Sequence, residues 1–130
     1  MVIDTSCVVA ILMNEPDAPA ILQATKGVEL FSADSLQWEV GNSLSAMLKR
    51  KRIDEAQAIA VYELFLKLPI ALLDIPVKRA LELSAQLGIY AYDAYMIVCC
   101  ERVGAPMVSL DSGLKVAAKR VGVAVLEVAP

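Results

Sequence analysis

Acidic side chains are the residues of this chain whose type and position could do chemistry. Asp4 and Asp111 each follow a short apolar run of the kind that forms a buried strand. Asp93 stands at the start of a helical pattern, and Glu39 lies one turn into another. Mg²⁺ prefers oxygen ligands, usually one or two protein carboxylates with water and substrate phosphate completing the shell. These acids from distant parts of the chain could together build such a site.

Helix capping is the alternative interpretation for three of these acids. Asp4, Asp93 and Asp111 each precede a helical pattern, and a capping aspartate is common and contributes typically about 1 kcal/mol by itself. Glu39 has no such explanation. It lies beside an apolar stripe, where a half-buried acid is unusual without a partner.

The absence of histidine excludes several kinds of catalytic and metal site. A Ser-His-Asp triad, an imidazole base and an ordinary histidine-rich zinc site all require it. Cys7, Cys99 and Cys100 are odd in number and lack the CxxC spacing, so we expect buried thiols in a reducing compartment. Any catalysis must therefore rest on carboxylates.

The composition indicates one domain with an unusually apolar interior. A chain of 130 residues leaves little room for a second domain, so we expect a single domain over residues 1–130. Hydrophobic residues make up 58% of it, but charges and Pro69 interrupt the longest apolar stretch, which falls short of the roughly 20 residues of a membrane-spanning helix. We expect this apolar excess in a buried sheet and at a subunit interface. With no signal peptide after Met1, we expect a cytoplasmic protein without membrane association.

The charge balance is unlike that of most nucleic-acid binders. The net charge is -3, whereas such proteins usually neutralise phosphates with lysine and arginine. One basic run, residues 49–52, is either an RNA contact or a helix end whose cations complement the helix dipole. Tyr90, Tyr92 and Tyr95 surround Asp93, and they either stack on splayed bases or pack in the core or a dimer contact.

Strand and helix patterns alternate along the chain. Short apolar runs predict strands at residues 1–3, 29–33, 70–73, 106–110 and 124–128. Helical patterns cover about 34–50, 54–67, 76–88, 92–103 and 111–122. This alternation predicts an α/β fold, a three-layer α/β/α sandwich around a mostly parallel five-stranded sheet, with its site beyond the carboxyl ends of the strands. Asp34 and Asp74 also follow strands, so position alone does not choose among the acids.

Four short motifs, in order, resemble those of one protein family. Residues 2–6 (Val-Ile-Asp-Thr-Ser) are similar to the start of PIN domains, above all of VapC toxins from type II toxin-antitoxin modules. Residues 39–42 (Glu-Val-Gly-Asn) resemble the family's E-x-x-N segment, residues 93–94 (Asp-Ala) its D-A motif, and residues 109–111 (Ser-Leu-Asp) its T/S-x-D strand end. Each motif alone is weak. Together they form a strong signal that extends from residue 2 to about residue 126.

The resemblance implies a Mg²⁺- or Mn²⁺-dependent endoribonuclease with an acidic quartet of Asp4, Glu39, Asp93 and Asp111. It implies that Thr5 or Ser6 and Ser109 orient carboxylates or substrate, and that Asn42 supports Glu39. Hydrolysis of the RNA substrate would leave a 5′-phosphate and a 3′-hydroxyl. A toxin of this type would have an antitoxin partner, whose arginine or lysine pairs with the carboxylates in place of metal. The apolar excess adds the expectation of a homodimer.

Other classes of protein also place acids after parallel strands. An aspartyl-phosphate phosphatase needs a second Asp two residues after the first, where this chain has Ser6. A receiver domain needs adjacent acids near the end of the first strand, and Asp4 stands alone. The main alternative to a nuclease is a non-catalytic PIN-like module that binds RNA or protein. Four acids gathered where a phosphate must approach argue against it.

Overall fold

Five parallel strands form the central sheet of the structure, a computed structural model that describes residues 1–128. The strands are β1 (Val2–Ile3), β2 (Leu30–Ala33), β3 (Ile70–Leu73), β4 (Met107–Val108) and β5 (Val125–Leu126). Their spatial order is β3-β2-β1-β4-β5, and each neighbouring pair is parallel. Every predicted strand is confirmed, and each observed strand lies within its predicted range.

Helices connect the strands. They are α1 (Thr5–Leu12), α2 (Ala18–Thr25), α3 (Leu36–Lys49), α4 (Glu55–Leu66), α5 (Val77–Leu87), α6 (Ala91–Val103) and α7 (Ser112–Arg120). The five predicted helices are confirmed as α3 to α7, although α6 begins at Ala91, before the predicted start. The pattern did not delimit α1 and α2, because eight residues carry little periodicity. None of the helices within residues 1–128 has the length and apolar character needed to cross a membrane.

The helices cover the sheet in two groups, which gives the predicted three-layer sandwich. Helix α1 contacts α2, α3 and α4, whereas α5 packs on α6 and α6 lies against β1 and β2. The central strands are fully buried, with Val2 and Ile3 in β1 and Met107 and Val108 in β4 all at 0% exposure. Strands covered on both faces can be this short and entirely apolar.

The pairing of β1 with β4 brings distant residues to one edge of the sheet. Val2 pairs with Met107 and Ile3 with Val108, so the residues that follow both strands emerge side by side. The backbone N–H of Asp4 donates to the carbonyl of Val108 at 3.3 Å. Strand β2 flanks β1 on its other side, and α3 therefore begins at the same edge.

The basic run lies far from that edge. Lys49 is the last residue of α3 and Arg50 is its C-cap, which is the position that favours cations at a helix end. Glu39 lies in the first turn of the same helix, about 15 Å away along its axis at the usual rise per residue. The run therefore completes a helix and does not flank the acids.

Candidate active site

The carboxylate of Asp4 is buried and held from several sides. Its exposure is 4%. The hydroxyl of Ser6 donates to its Oδ1 at 2.6 Å, and the hydroxyl of Ser109 donates to its Oδ2 at 2.7 Å. The backbone N–H of Cys7 also donates to Oδ1, at 3.3 Å, which is the contact of a helix N-cap. Asp4 thus caps α1 and still lies among the other acids of the site.

Backbone groups after β4 fix the two serines that hold Asp4. The N–H of Leu110 donates to the hydroxyl oxygen of Ser6 at 2.9 Å, and the N–H of Asp111 donates to that of Ser109 at 2.9 Å. A hydroxyl that accepts from the backbone directs its own proton elsewhere, in this case to the carboxylate. The ends of β1 and β4 are thereby locked together by side chains as well as by the sheet.

Two hydroxyls hold the half-buried carboxylate of Glu39. Thr5 Oγ1 donates to Oε1 at 3.0 Å, and Ser35 Oγ donates to Oε2 at 2.9 Å. Asn42 is exposed, and within residues 1–128 its side chain makes no hydrogen bond to Glu39, so the support expected from it comes instead from Thr5 and Ser35. The sequence reasoning missed Ser35 in this role. Its position one helical turn before Glu39 is the signal that could have revealed it.

Asp93 and Asp111 differ in what holds them. Asp93 lies half-buried in the first turn of α6, after the N-cap Tyr90, so it is not a cap. It accepts no hydrogen bond from any residue that the structure describes. Asp111 is exposed and caps α7 by accepting the N–H of Leu114 at 3.0 Å. Capping therefore accounts in part for Asp4 and Asp111, but it does not account for Asp93.

Burial and mutual repulsion raise the pKa values of three of these acids. For Asp4, burial is the largest cause, opposed by its hydrogen bonds and reinforced by the charge of Asp111. Burial also raises the pKa of Glu39, again against its hydrogen bonds, with the charges of Asp4 and Asp93 adding to the rise. For Asp93, burial comes first, followed by the charges of Asp111 and Asp4. The charge of at least one other acid thus contributes to each of these three raised pKa values, because the fold brings the acids to one edge of the sheet.

The donor set of the site fits a hard divalent cation. The salt bridges formed within residues 1–128 involve none of the four acids, so no lysine or arginine of that range pairs with them. No three acidic, cysteine or histidine side chains of that range are grouped closely enough to coordinate one ion together. Mg²⁺ normally takes only one or two carboxylates and keeps several waters, which suits such spacing. The four candidate ligands are all carboxylates, and oxygen donors favour Mg²⁺ or Mn²⁺ over softer metals.

Three tyrosines lie within three residues of Asp93 in the sequence. Tyr90 is 89% exposed and Tyr92 is 52% exposed, whereas Tyr95 is half-buried and packs partly against the core. Tyr92 and Tyr95 meet edge to face, with ring centroids 5.9 Å apart. Of the three tyrosines, only Tyr95 packs against the core, and it is only partly buried there.

The fold and the site together define an α/β protein with a carboxylate centre at the carboxyl edge of a parallel sheet. The sequence matches the PIN domain family over residues 1–120. The chain therefore belongs to the PIN-domain family, whose members are generally nucleases. No protein among curated sequences matches it.

Solved structures share this fold at low sequence identity. PAE2754 from Pyrobaculum aerophilum is 20% identical with a TM-score of 0.70, and the match covers 89% of this chain and 77% of that one. VapBC2 from Rickettsia felis, bound to a DNA fragment from its promoter, is 18% identical with a TM-score of 0.68, covering 97% and 96%. FitAcB from Neisseria gonorrhoeae is 15% identical with a TM-score of 0.66, covering 97% and 96%. At these identities the likeness concerns the fold.

Proposed function

We propose that this chain is a Mg²⁺- or Mn²⁺-dependent endoribonuclease, and the toxin of a toxin-antitoxin pair. The observation that carries the proposal is that Asp4, Glu39, Asp93 and Asp111 follow strands or begin helices at one edge of the sheet, where the charges of other acids help to raise the pKa values of the first three. Membership of a family of nucleases supports hydrolysis of a phosphodiester. The four motifs that resemble those of VapC toxins, together with the fold shared with VapBC2 and FitAcB, support the toxin assignment.

The chain's own residues prepare the site in two ways. Asp4 and Asp93 would hold the principal cation, while Glu39 and Asp111 would complete its shell through water or position a second ion. When bound, the cation supplies neutralisation of phosphate charge and a lower pKa for the attacking water. The serine and threonine hydroxyls that donate to Asp4 and Glu39 fix both carboxylates before substrate arrives. Little reorganisation is therefore needed during the reaction. In the reaction, the water oxygen bonds to phosphorus and the bond from phosphorus to the 3′ oxygen breaks, which leaves a 5′-phosphate and a 3′-hydroxyl.

Incubation of purified protein with a mixed set of structured RNAs tests the proposal. We expect cutting in Mg²⁺ or Mn²⁺ that EDTA abolishes and that leaves 5′-phosphate ends. Asp93→Asn should lower the rate by on the order of 100-fold or more, because several kcal/mol of charge stabilisation are lost. Glu29→Gln removes one charge at the opposite edge of the sheet, before β2, and should cut like the wild type.

Failure of the wild type in this experiment would have a clear meaning. If the folded protein binds no divalent cation and cuts no RNA, the acids are helix caps and structural groups. The chain would then be a non-catalytic PIN-like module that binds RNA or protein. Retained cutting in Asp93→Asn would remove that residue from the site.

We also propose an antitoxin partner that inhibits the enzyme. Three acids with raised pKa values and no counter-ion in residues 1–128 form a surface that a guanidinium or ammonium group would neutralise. An arginine or lysine in the tail of the antitoxin would therefore occupy the place of the metal. We propose that the protein, its antitoxin and its RNA substrate meet in the cytoplasm.

A homodimer is the remaining part of the proposal. Large apolar side chains are exposed on consecutive elements from α4 to α5: Ile59, Leu64, Leu66, Leu72, Val77 and Leu81. Strand β3, which carries Leu72, is an edge strand. Leu66 and Leu72 line the same cavity, so part of this apolar surface is continuous, and exposed apolar patches mark interaction sites in proteins. We propose that a second copy of the chain covers it, with residues 1–130 of each copy forming one domain.

A further inference from the structure

A cleft of about 220 Å³ opens beside the acids, where β2 and β3 end. It is lined in part by two aromatic residues, Trp38 and Tyr95, and by two acids, Asp34 and Asp74; we call it the aromatic cleft. We infer that the aromatic cleft receives one unstacked guanine base of the RNA, next to the phosphate that is cut. This inference rests on the proposed ribonuclease function and adds a determinant of sequence preference.

The aromatic cleft is joined directly to the acidic site. Ser35 lines the aromatic cleft, and its hydroxyl donates to Oε2 of Glu39 at 2.9 Å. Trp38 precedes Glu39 in α3. A base in the aromatic cleft and a phosphate at the acids would therefore belong to the same or adjoining nucleotides.

The size and the aromatic walls of the aromatic cleft suit a single base. Pockets for whole drug-sized ligands usually measure roughly 300–1,000 Å³, so a space of about 220 Å³ fits a ring system better than a complete nucleotide. Trp38 is 60% exposed, although a large aromatic side chain normally gains stability from burial. Proteins that bind single-stranded RNA use exposed aromatic side chains as platforms for stacked bases.

The two acids of the aromatic cleft are held side by side by the sheet. Ala33 pairs with Leu73 in the parallel ladder, so Asp34 and Asp74 are the residues that come directly after this pair. The N–H of Asp34 donates to the carbonyl of Leu73 at 2.9 Å. Arg102 contacts the backbone carbonyl of Asp74. Neither carboxylate is in a salt bridge or accepts a hydrogen bond from the side chains of residues 1–128. Both are therefore available to a ligand.

Carboxylates select a ligand that presents donors. An ionised carboxylate can only accept hydrogen bonds, so it repels phosphate and pairs with N–H groups. Guanine carries adjacent N–H donors on its Watson–Crick edge, adenine and cytosine present a single amino group, and uracil presents one N–H between two carbonyl oxygens. Guanine is thus the base that two neighbouring carboxylates satisfy best. The phosphate is left to the acidic site.

Trp38 provides a direct reporter, because it is the single tryptophan of the chain. The probes are the pentanucleotides UUGUU and UUUUU, added in Mg²⁺ to full-length Asp93→Asn protein, with Trp38 fluorescence recorded. We expect UUGUU to quench the emission and to bind about tenfold more tightly than UUUUU, an effect of the size that base stacking and donor recognition provide. This fluorescence measurement does not depend on cleavage of the RNA.

A matched pair of variants tests the role of the carboxylates. In the same background, the double change Asp34→Ala and Asp74→Ala should bring the two affinities within about twofold of each other. Glu29→Ala, at the opposite edge of the sheet, should keep the tenfold preference. Circular dichroism checks that each variant folds. If the double variant does not fold, the single changes Asp34→Asn and Asp74→Asn replace it, and each should weaken the guanine preference.

The outcomes separate this inference from the nuclease proposal. Equal binding of both pentanucleotides, or a guanine preference that survives the double change, overturns the guanine site even if the wild type cuts RNA. A guanine preference that depends on the two acids supports the site, even if the wild type cuts nothing and the nuclease proposal fails. Quenching by an arginine-containing peptide but by neither RNA would also overturn it, since the aromatic cleft would then bind a cation of a protein partner.

Mapping of cut ends gives a second, independent reading. If the wild type cuts, we expect guanine to be enriched at one fixed position beside the cut. Trp38→Phe retains a stacking ring and should retain this enrichment, whereas Trp38→Leu should lose most of it. Equal enrichment in both variants would overturn the role of Trp38.

Discussion

Asp93 is a half-buried carboxylate that faces the charges of Asp111 and Asp4 and receives no hydrogen bond from residues 1–128. Burial and these charges raise its pKa above the ordinary value of 3.8. Between that value and the raised one, the folded state binds more protons than the unfolded chain. The free energy of unfolding therefore falls as pH rises through this window, and ionised Asp93 destabilises the metal-free protein at neutral pH.

Asp93→Asn should therefore stabilise the protein while it removes activity. At about pH 7 in EDTA we expect Tm to rise by on the order of 2–4 °C, since one repulsive charge disappears and no hydrogen bond is lost. Thermal unfolding followed by circular dichroism measures it. Asp4→Asn is the contrasting variant: its amide cannot accept from both Ser6 and Ser109, so we expect a loss of about 1–3 kcal/mol. A lower Tm in Asp93→Asn would contradict this account.

The three thiols show burial acting on another kind of group. Cys7, Cys99 and Cys100 are buried and free, as predicted. Burial raises their pKa values to about 12, about 11 and about 12 respectively. Because the thiolate is the reactive form, we expect no alkylation by iodoacetamide in the native protein and complete alkylation in denaturant. Mass spectrometry of both samples checks this, and rapid labelling of the native protein would show that a thiol is accessible.

At the scale of elements, the site is a property of two strand ends and two helix starts. Strands β1 and β4 have two residues each, yet the hydroxyls that follow them hold the carboxylate of Asp4. Helix α3 delivers Glu39 in its first turn, and α6 delivers Asp93 in its own. Helix α4 is different, because its capping box joins Asp54 to Gln57 and none of its residues belongs to the site.

Ser109→Ala and Asp54→Ala should separate stability from activity. Each removes a hydrogen-bonding group, so we expect each to cost about 1–2 kcal/mol in urea unfolding. Only Ser109→Ala should lower the cleavage rate, by on the order of tenfold, because it frees one oxygen of Asp4 from its fixed position. Ser109→Thr keeps the hydroxyl and should recover much of that rate. Equal rates for both alanine variants would show that Ser109 has a purely structural role.

At the scale of the whole molecule, concentrated negative charge links folding to metal and to pH. Binding of Mg²⁺ to the folded state alone stabilises it in proportion to the logarithm of ligand concentration over Kd. The acids must be ionised to bind it, so the gain should shrink as pH falls. We expect Mg²⁺ to raise Tm more at about pH 7.5 than at about pH 5. Without metal, the difference in Tm between those two pH values should be smaller in Asp93→Asn than in the wild type. An equal rise at both pH values would contradict the carboxylate site.

The proposed dimer is also a property of the whole molecule. Light scattering after size-exclusion chromatography at tens of micromolar should give twice the chain mass of 14.0 kDa. Leu66→Glu places a charge on the exposed apolar surface at a side chain that is 63% exposed, and it should yield a monomer. Leu22→Glu, on α2 at 53% exposure, is the control that should remain dimeric. A monomeric wild type would remove the dimer.

Local pattern determined much of this protein. The five strands, the helices α3 to α7 and the parallel α/β order follow from apolar periodicity and from Gly and Asp at element ends, which are properties of neighbouring residues. The four acids of the proposed site are predicted from short motifs, and their role stays a prediction. That Asp4 and Asp111 share one edge of the sheet required only that β1 and β4 be parallel neighbours, as they are.

Only the tertiary structure decided which side chains meet. Thr5, 34 residues from Glu39, holds that acid in place of the expected Asn42, and Ser109 reaches Asp4 across 105 residues. The aromatic cleft exists because β2 pairs with β3 in one register, which places two unrelated aspartates together. Strand order and register arise from packing of the whole core, and no local stretch of sequence carries that information. The raised pKa values have the same origin, since burial and the approach of distant charges exist only in the folded chain.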